Sequence, residues 1–187
     1  IMFGNHTFSV MLSQKFTCPS STVWNSIHLL RLCIVFFALS HIPTSAARNS
    51  ILKESLASIQ SKALAGDVHY QGALAIFHKF GEKGLAIDFI EAERWAKLAA
   101  QKQGSLGLCT LAALELERGN SERGRFLYDE AYLHSNLRSV VKNQDPIALF
   151  CMGMIEIDNP PRNFAKGIRQ LSKSAEMGFA SAQATLG

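Results

Sequence analysis

Apolar residues recur at helical spacing from about residue 50 to the end of the sequence. The first run advances by four, three and four residues: Leu52, Leu56, Ile59 and Ala63. Such steps place the side chains on one side of a helix. Gly66 follows, and a glycine just past the last apolar turn commonly ends a helix. This pattern predicts that residues 48–66 form an N-terminal helix or half-repeat.

A second pattern repeats along the chain. A first residue is followed by an aliphatic or small residue four positions later and by a small residue at the next position. Four copies occur, at offsets of 38, 40 and 34 residues: Tyr70/Leu74/Ala75, Leu108/Ala112/Ala113, Ala148/Met152/Gly153 and Ala182/Leu186/Gly187. Self-similarity at this period indicates a helical-repeat protein, and each copy predicts the first helix of a unit, helix A.

A second helix, helix B, follows in each complete unit. It starts at a residue whose short side chain can accept a hydrogen bond from a free helix N–H group. Small residues at regular spacing then let helices approach closely. The residues expected to build the repeats are Leu74, Ala75, Asp88, Ala92, Trp95, Ala99, Ala112, Asn120, Gly124, Ala131, Met152, Gly153, Asn163, Ala175, Gly178 and Ala182.

Glycine, proline and asparagine residues, which favour turns and loops, mark the boundaries of the units. Repeat 1 takes residues 67–104, a degenerate repeat 2 residues 105–144 and repeat 3 residues 145–178. Residues 179–187 are the start of a truncated repeat 4, so we expect the natural chain to continue. In repeat 2 the loop between the helices is only Gly119–Asn120, and residues 133–144 lengthen the connection to repeat 3.

The last copy resembles the Sel1-like repeat, a relative of the tetratricopeptide repeat. The resemblance is carried by the Met152–Gly153 pair, the Pro/Asn loop before Asn163, the run Ser174–Gly178 and the following Ala182. It extends more weakly over residues 63–187. The resemblance implies an all-α, right-handed solenoid of helix-turn-helix units that binds another protein as an adaptor or scaffold, without catalysis.

The first 47 residues predict an export signal with a long N-terminal region. Residues 32–39 are an apolar run, and small residues precede a cleavage point after Ala46 or Ala47. The run is too short for a stable membrane span. The mature protein is therefore expected to be exported, as a periplasmic or secreted protein, or a lumenal one in a eukaryote.

Charge argues against a nucleic-acid partner. The whole chain carries +4, but residues 1–47 contain two basic residues and no acidic one, which leaves 17 basic against 15 acidic residues in the remainder. Phosphate binding needs a recurrent face of Lys and Arg, and the sequence lacks one.

No motif for catalysis, a metal or a cofactor stands out. His69 and His78 lie on opposite sides of a helix, and Glu130 and His134 suggest an ion pair more than half of a zinc site. Cys109 and Cys151 occupy positions about 200° apart in their respective helices, which favours buried free thiols over a disulfide. The sequence therefore predicts no catalytic residue, no metal site and no cofactor.

A partner surface is expected on the inner side of successive A helices, where a solenoid is concave. The candidate residues for it are His69, Ala73, His78, Glu115, Glu117, Arg118 and Glu156. Two alternatives remain open. One is a cell-wall-associated protein that binds or hydrolyses peptidoglycan, β-lactams or another small molecule. The other is a purely structural array or an inactive gene fragment.

Overall fold

The computed structural model describes residues 51–187. The predicted signal peptide, residues 1–47, and the first residues of the predicted half-repeat lie outside the described residues. Every regular element in the described part of the chain is helical, which confirms the prediction of an all-α fold there. None of these helices is both long and apolar enough to cross a bilayer.

Nine α-helices follow one another in residues 51–187. They are α1 (Leu56–Leu64), α2 (Val68–Phe80), α3 (Phe89–Ala100), α4 (Ser105–Glu117), α5 (Ser121–Asp129), α6 (Leu137–Lys142), α7 (Pro146–Asp158), α8 (Phe164–Glu176) and α9 (Ala180–Leu186). Helices α2, α4 and α7 are the A helices of the three units, and α3, α5 and α8 are the B helices.

The first apolar run is divided between two elements. Leu52 lies in a 3₁₀ turn, Ile51–Lys53, and α1 begins only after Ser55, whose side chain accepts a hydrogen bond from Ser58 N. The serine hydroxyl satisfies a free N–H group of the first helical turn, so the helix starts later than the apolar spacing suggests. Gly66 follows the helix with φ +91°, a conformation that glycine adopts without strain.

Short polar side chains begin most of the later helices. Asp88 accepts from the backbone N–H groups of Ile90 and Glu91 at the start of α3, and Asn163 accepts from Lys166 N at the start of α8. Asn120 differs from its predicted role. It precedes α5, but its side chain makes no capping bond and instead donates to Glu115 Oε2 at 2.7 Å.

Glycines bring neighbouring helices close together. A Cβ atom on Gly107 of α4 would lie 2.6 Å from Ala99 Cβ and 2.7 Å from Ala96 O of α3. A Cβ on Gly72 of α2 would lie 2.6 Å from Leu106 Cβ. These separations leave no room for a side chain, so α2, α3 and α4 meet along nearly bare backbone.

The A helices form the core of the described chain. Gln71 to Phe77 of α2, Ser105 to Thr110 of α4 and Pro146 to Gly153 of α7 are unbroken buried stretches. A helix that is apolar on all sides is buried on all sides. The B helices differ, because each buries only a narrow stripe. In α3 this stripe includes Ala92, Trp95 and Ala99.

The connection between repeats 2 and 3 contains structure that the sequence pattern did not predict. Helix α5 continues into a π-helical turn, Glu130–His134, and the short helix α6 follows. Leu137 and Val140 of α6 are buried, and α6 packs against both the π-helical turn and α7. The lengthened connection is therefore a packed part of the core.

Helix α7 lies against the A helices of both preceding units. It packs on α4, and the ring of Phe150 in α7 meets that of Phe80 in α2 edge to face, with centroids 5.4 Å apart. Phe179, before α9, adds a third ring 5.2 Å from Phe150. Edge-to-face contact is a favoured geometry for aromatic pairs, so this cluster ties the end of the chain to repeat 1.

The contact at Gly107 leads to a test. Gly107→Ala should destabilise the protein by about 1–3 kcal/mol, because the new methyl group collides with the backbone of α3 and forces α3 and α4 apart. Urea unfolding followed by circular dichroism measures the change. Ser61→Ala, on the exposed side of α1, is the control and should change stability by less than about 0.5 kcal/mol. Equal effects of the two substitutions would contradict the packing described here.

Candidate partner-binding surface

His69 is engaged inside the protein. Its Nε2 atom lies 3.1 Å from Oδ2 of Asp145, and its side chain is 15% exposed. Asp145 is fully buried and also accepts a hydrogen bond from Ala148 N at 2.8 Å, at the start of α7. The pair connects the first turns of α2 and α7, so His69 contributes to the packing between repeats 1 and 3.

Ala73 must be corrected as a candidate. It was expected on an open inner surface, but it is 0% exposed. The reason is that Ala73 lies between His69 and Ile76 on one side of α2, and both of those residues adjoin the start of α7. His78 is half-buried near the end of α2, and its carbonyl oxygen accepts from Asp88 N at 2.9 Å.

Glu115 and Arg118 belong to a charged network between α3 and α4. Arg118 donates to Glu93 and to Glu115, the latter at 3.2 Å. Lys97 Nζ lies 2.7 Å from the other carboxylate oxygen of Glu93. Glu93 therefore holds two cations, one from its own helix and one from the next unit.

The network shifts the ionisation of its members. Hydrogen bonds from Arg118 and then from Lys97 lower the pKa of Glu93 from 4.5 to about 2, against the opposing effect of burial. The same contact with Glu93 raises the pKa of the Arg118 guanidinium. Glu93 thus stays ionised well below neutral pH, which keeps the network intact.

Glu117 and Glu156 also form ion pairs. Glu117 pairs with Lys79, whose side chain is almost wholly buried and whose Nζ lies 4.8 Å from the ring centre of Phe80. Glu156 pairs with Lys166. Glu156 also lines a shallow depression beside the loop that joins α7 to α8, together with Tyr132, Leu133 and Pro160. Five of the six charged or imidazole candidates, all but His78, are therefore engaged in ion pairs within the protein.

A different surface is exposed on repeat 1. Four large apolar side chains lie in solvent on α3 and the loop before it: Ile87, Phe89, Ile90 and Leu98. Ile90 is the most exposed, at 81%. It shares a shallow depression with Leu98 and with the charged residues Glu93, Arg94 and Lys97. We call these five residues the α3 surface.

The residues of this surface lie outside the repeat pattern but have a regular spacing of their own. Ala92, Trp95 and Ala99 mark the buried stripe of α3, and Ile90 lies off that stripe. Ile90, Arg94 and Lys97 follow one another at steps of four and three, which places them on one side of the helix. One apolar and two basic side chains therefore lie together on the exposed side of α3.

The two cysteines of the described chain lie side by side, which overturns the expectation that they point apart. Both are buried and free, and both line a cavity of about 20 Å³ among α2, α4, α5 and α7. The interaction with Cys109, followed by burial, raises the pKa of the Cys151 thiol well above its ordinary value. The angle between the two positions applies only to equivalent units, and the π-helical turn and α6 lie between the helices that carry the two cysteines.

No cluster of three His, Cys, Asp or Glu side chains in residues 51–187 could hold a metal ion. Glu130 and His134, considered as an ion pair from their spacing, fall within the π-helical turn. That turn has a longer repeat than an α-helix, so residues four apart no longer lie one above the other. No ion pair joins them in the described structure.

Among the comparisons with known proteins, the one with solved structures gives a match. No family model matches the chain, and no curated protein does. Among solved structures it is similar to a Sel1 repeat protein. That protein, from Oxalobacter formigenes, is 21% identical to this chain, and the match covers 70% of this chain and 96% of the other with a TM-score of 0.34. Its name is that of the repeat family which the motifs of repeat 3 resemble.

The Glu93 network predicts that the free energy of unfolding depends on pH. A carboxyl group whose pKa is lower in the folded state stabilises the fold above its unfolded pKa. This contribution is lost as the pH falls from 4.5 towards about 2. The stability difference between wild type and Glu93→Gln should therefore shrink over that range, as measured by urea unfolding at successive pH values.

Carbon-detected NMR titration of Glu93 provides the control. Arg118→Met removes the first cause of the shift and should raise the pKa of Glu93. Arg94→Met should leave it in place, because Arg94 pairs with Glu91 at 3.1 Å. A Glu93 pKa that responds equally to the two substitutions would contradict the assigned role of Arg118.

Proposed function

We propose that the protein is a non-catalytic scaffold that binds another protein through the α3 surface. The observation that carries the proposal is the exposure of Ile90 and Leu98 in one depression beside ordered charges. An exposed apolar patch rimmed by polar residues commonly marks a protein–protein interaction site. The resemblance of the sequence to Sel1-like repeats, which implies a protein partner, supports the same function.

The chemistry of the α3 surface suggests what the partner presents. Ile90 and Leu98 offer apolar contact, and Arg94 and Lys97 have side chains about 60% exposed. We expect the partner to present one or two apolar side chains flanked by carboxylates. Its apolar side chains would be buried against Ile90 and Leu98, and its carboxylates would pair with Arg94 and Lys97. Glu93 fixes Lys97 and Arg118 in place, so part of the surface is ordered before binding, which lowers the entropy cost.

Binding can be tested with a photo-cross-linking amino acid placed at Ile90 of the full chain in cells of its source. We expect one discrete cross-linked protein from this position. The matched control is the same amino acid at Ile168, which is 50% exposed on α8 and should give none. Arg94→Glu together with Lys97→Glu should abolish the Ile90 product.

The identified partner then allows a quantitative measurement. Ile90→Asp should weaken its binding to the purified full chain at least tenfold by calorimetry, because a central apolar contact is lost. The thermal midpoint should remain within about 2 °C, since exposed substitutions have small effects on stability. Cross-links from Ile168 as strong as those from Ile90, or unchanged affinity of Ile90→Asp, would refute the α3 surface as the binding site.

Export of the mature protein is part of the proposal, and its support is the signal-like pattern of residues 1–47. Mass spectrometry of fractionated source cells should find a product that begins at Ala47 or Arg48 in the exported material. Replacing the apolar residues Val35 and Phe36 by Asp should keep the protein inside the cell, since a signal needs an uninterrupted apolar run. A cytosolic product that retains the first 40 residues would refute export.

A further inference from the structure

The cavity shared by Cys109 and Cys151 lies where all three A helices meet. Its lining comes from Ile76 and Phe80 of α2, from Cys109 of α4, and from Phe150 and Cys151 of α7, among others. The lining is almost wholly apolar, and the cavity is large enough for about one water molecule. The two thiols therefore lie next to each other in apolar surroundings.

A covalent bond between the two cysteines would join two repeats that are distant along the chain. Cys109 lies in repeat 2 and Cys151 in repeat 3, 42 positions apart along the chain. Those residues include the π-helical turn and α6, the irregular part of the array. Linking positions this far apart removes conformational freedom from the unfolded chain.

The surroundings also favour an uncharged product. A thiolate in this cavity would have room for at most about one water molecule, and buried Asp145 raises the pKa of the Cys151 thiol in addition to burial. Burial of an unpaired charge is costly. A disulfide carries no charge and is close in size to the two thiols it replaces, so it suits the cavity better than any ionised form.

We propose that Cys109 and Cys151 form a reversible disulfide that joins α4 to α7 and fixes repeat 3 against repeat 2. This modification is separate from the α3 surface and does not depend on the proposed partner. It differs from a link within one helix pair, because it connects the A helices of successive units.

The reaction is a two-electron oxidation by a small-molecule disulfide such as oxidised glutathione. One cysteine thiolate attacks a sulfur of the oxidant, which breaks the oxidant's S–S bond, releases one glutathione thiolate and leaves a mixed disulfide. The second cysteine then attacks the protein sulfur of that mixed disulfide and releases the second glutathione. The two cysteines lose two protons and two electrons in total, and the oxidant becomes two thiols.

Burial sets the rate of this reaction. Oxidants reach a thiol through its exposed thiolate form, and both cysteines are buried. We therefore expect oxidation to be fast while the chain is folding and slow in the folded protein, where it waits for α7 to move away from α4. Reduction of the bond in the folded protein should be slow for the same reason, because the reducing thiol must also reach a buried sulfur.

The test uses the full chain with Cys18→Ser and Cys33→Ser, so that only the two buried cysteines remain. The protein is refolded in oxidised and reduced glutathione and digested with trypsin after free thiols are blocked. The expected product is peptide 103–118 joined to peptide 143–162, with a mass two hydrogens below the sum of the separate peptides. The thermal midpoint of the oxidised protein should exceed that of the reduced protein by roughly 10 °C.

Matched variants separate the bond from general effects of oxidation. Cys109→Ala and Cys151→Ala should each give no joined peptide and no dependence of the thermal midpoint on glutathione. Each should still fold in reducing buffer, as shown by circular dichroism. The proposal is overturned if oxidising buffer gives only single glutathione adducts or unmodified thiols, or if the joined form unfolds at the same temperature as the reduced form.

Discussion

The described fold depends on the close approach of helix backbones at small residues. Gly107 packs directly on Ala96 and Ala99, and Gly72 packs on Leu106. Helices of 9 to 13 residues are marginal in water by themselves and become stable through their neighbours. Side chains larger than a hydrogen atom at these two glycines would separate the layers, and the buried stripes of all three helices would then be exposed.

The same requirement explains why the inner side of the A helices is filled. Helix α7 is apolar on nearly all sides, so it needs contacts in every direction. Helix α8 packs along one side of it and α6 along another, and α4, Phe80 and His69 cover a third. A regular array would leave that side open as a groove. Here the irregular connection lets repeat 3 use it as core.

The exposed apolar side chains of repeat 1 lie on a B helix and on the loop before it. The B helices bury only a narrow stripe, and the remaining surface of α3 keeps Ile90 and Leu98 in solvent beside a charged network. Arg118 reaches this network from α4, the A helix of the next unit. The order of the α3 surface therefore depends on the stacking of repeats 1 and 2, although all five of its residues lie on one helix.

Local features of this protein could be read from its sequence, because they depend on residues close together in the chain. The helix pairs, the residues that begin α3 and α8, and the buried stripe of Ala92, Trp95 and Ala99 all follow from spacing and side-chain type. What required the tertiary structure was the orientation of α7. It decided that Ala73 is buried, that His69 meets Asp145 and that Cys109 meets Cys151. Periodicity assigns equivalent positions to successive units, whereas the π-helical turn and α6 break that equivalence through contacts between residues distant in the chain.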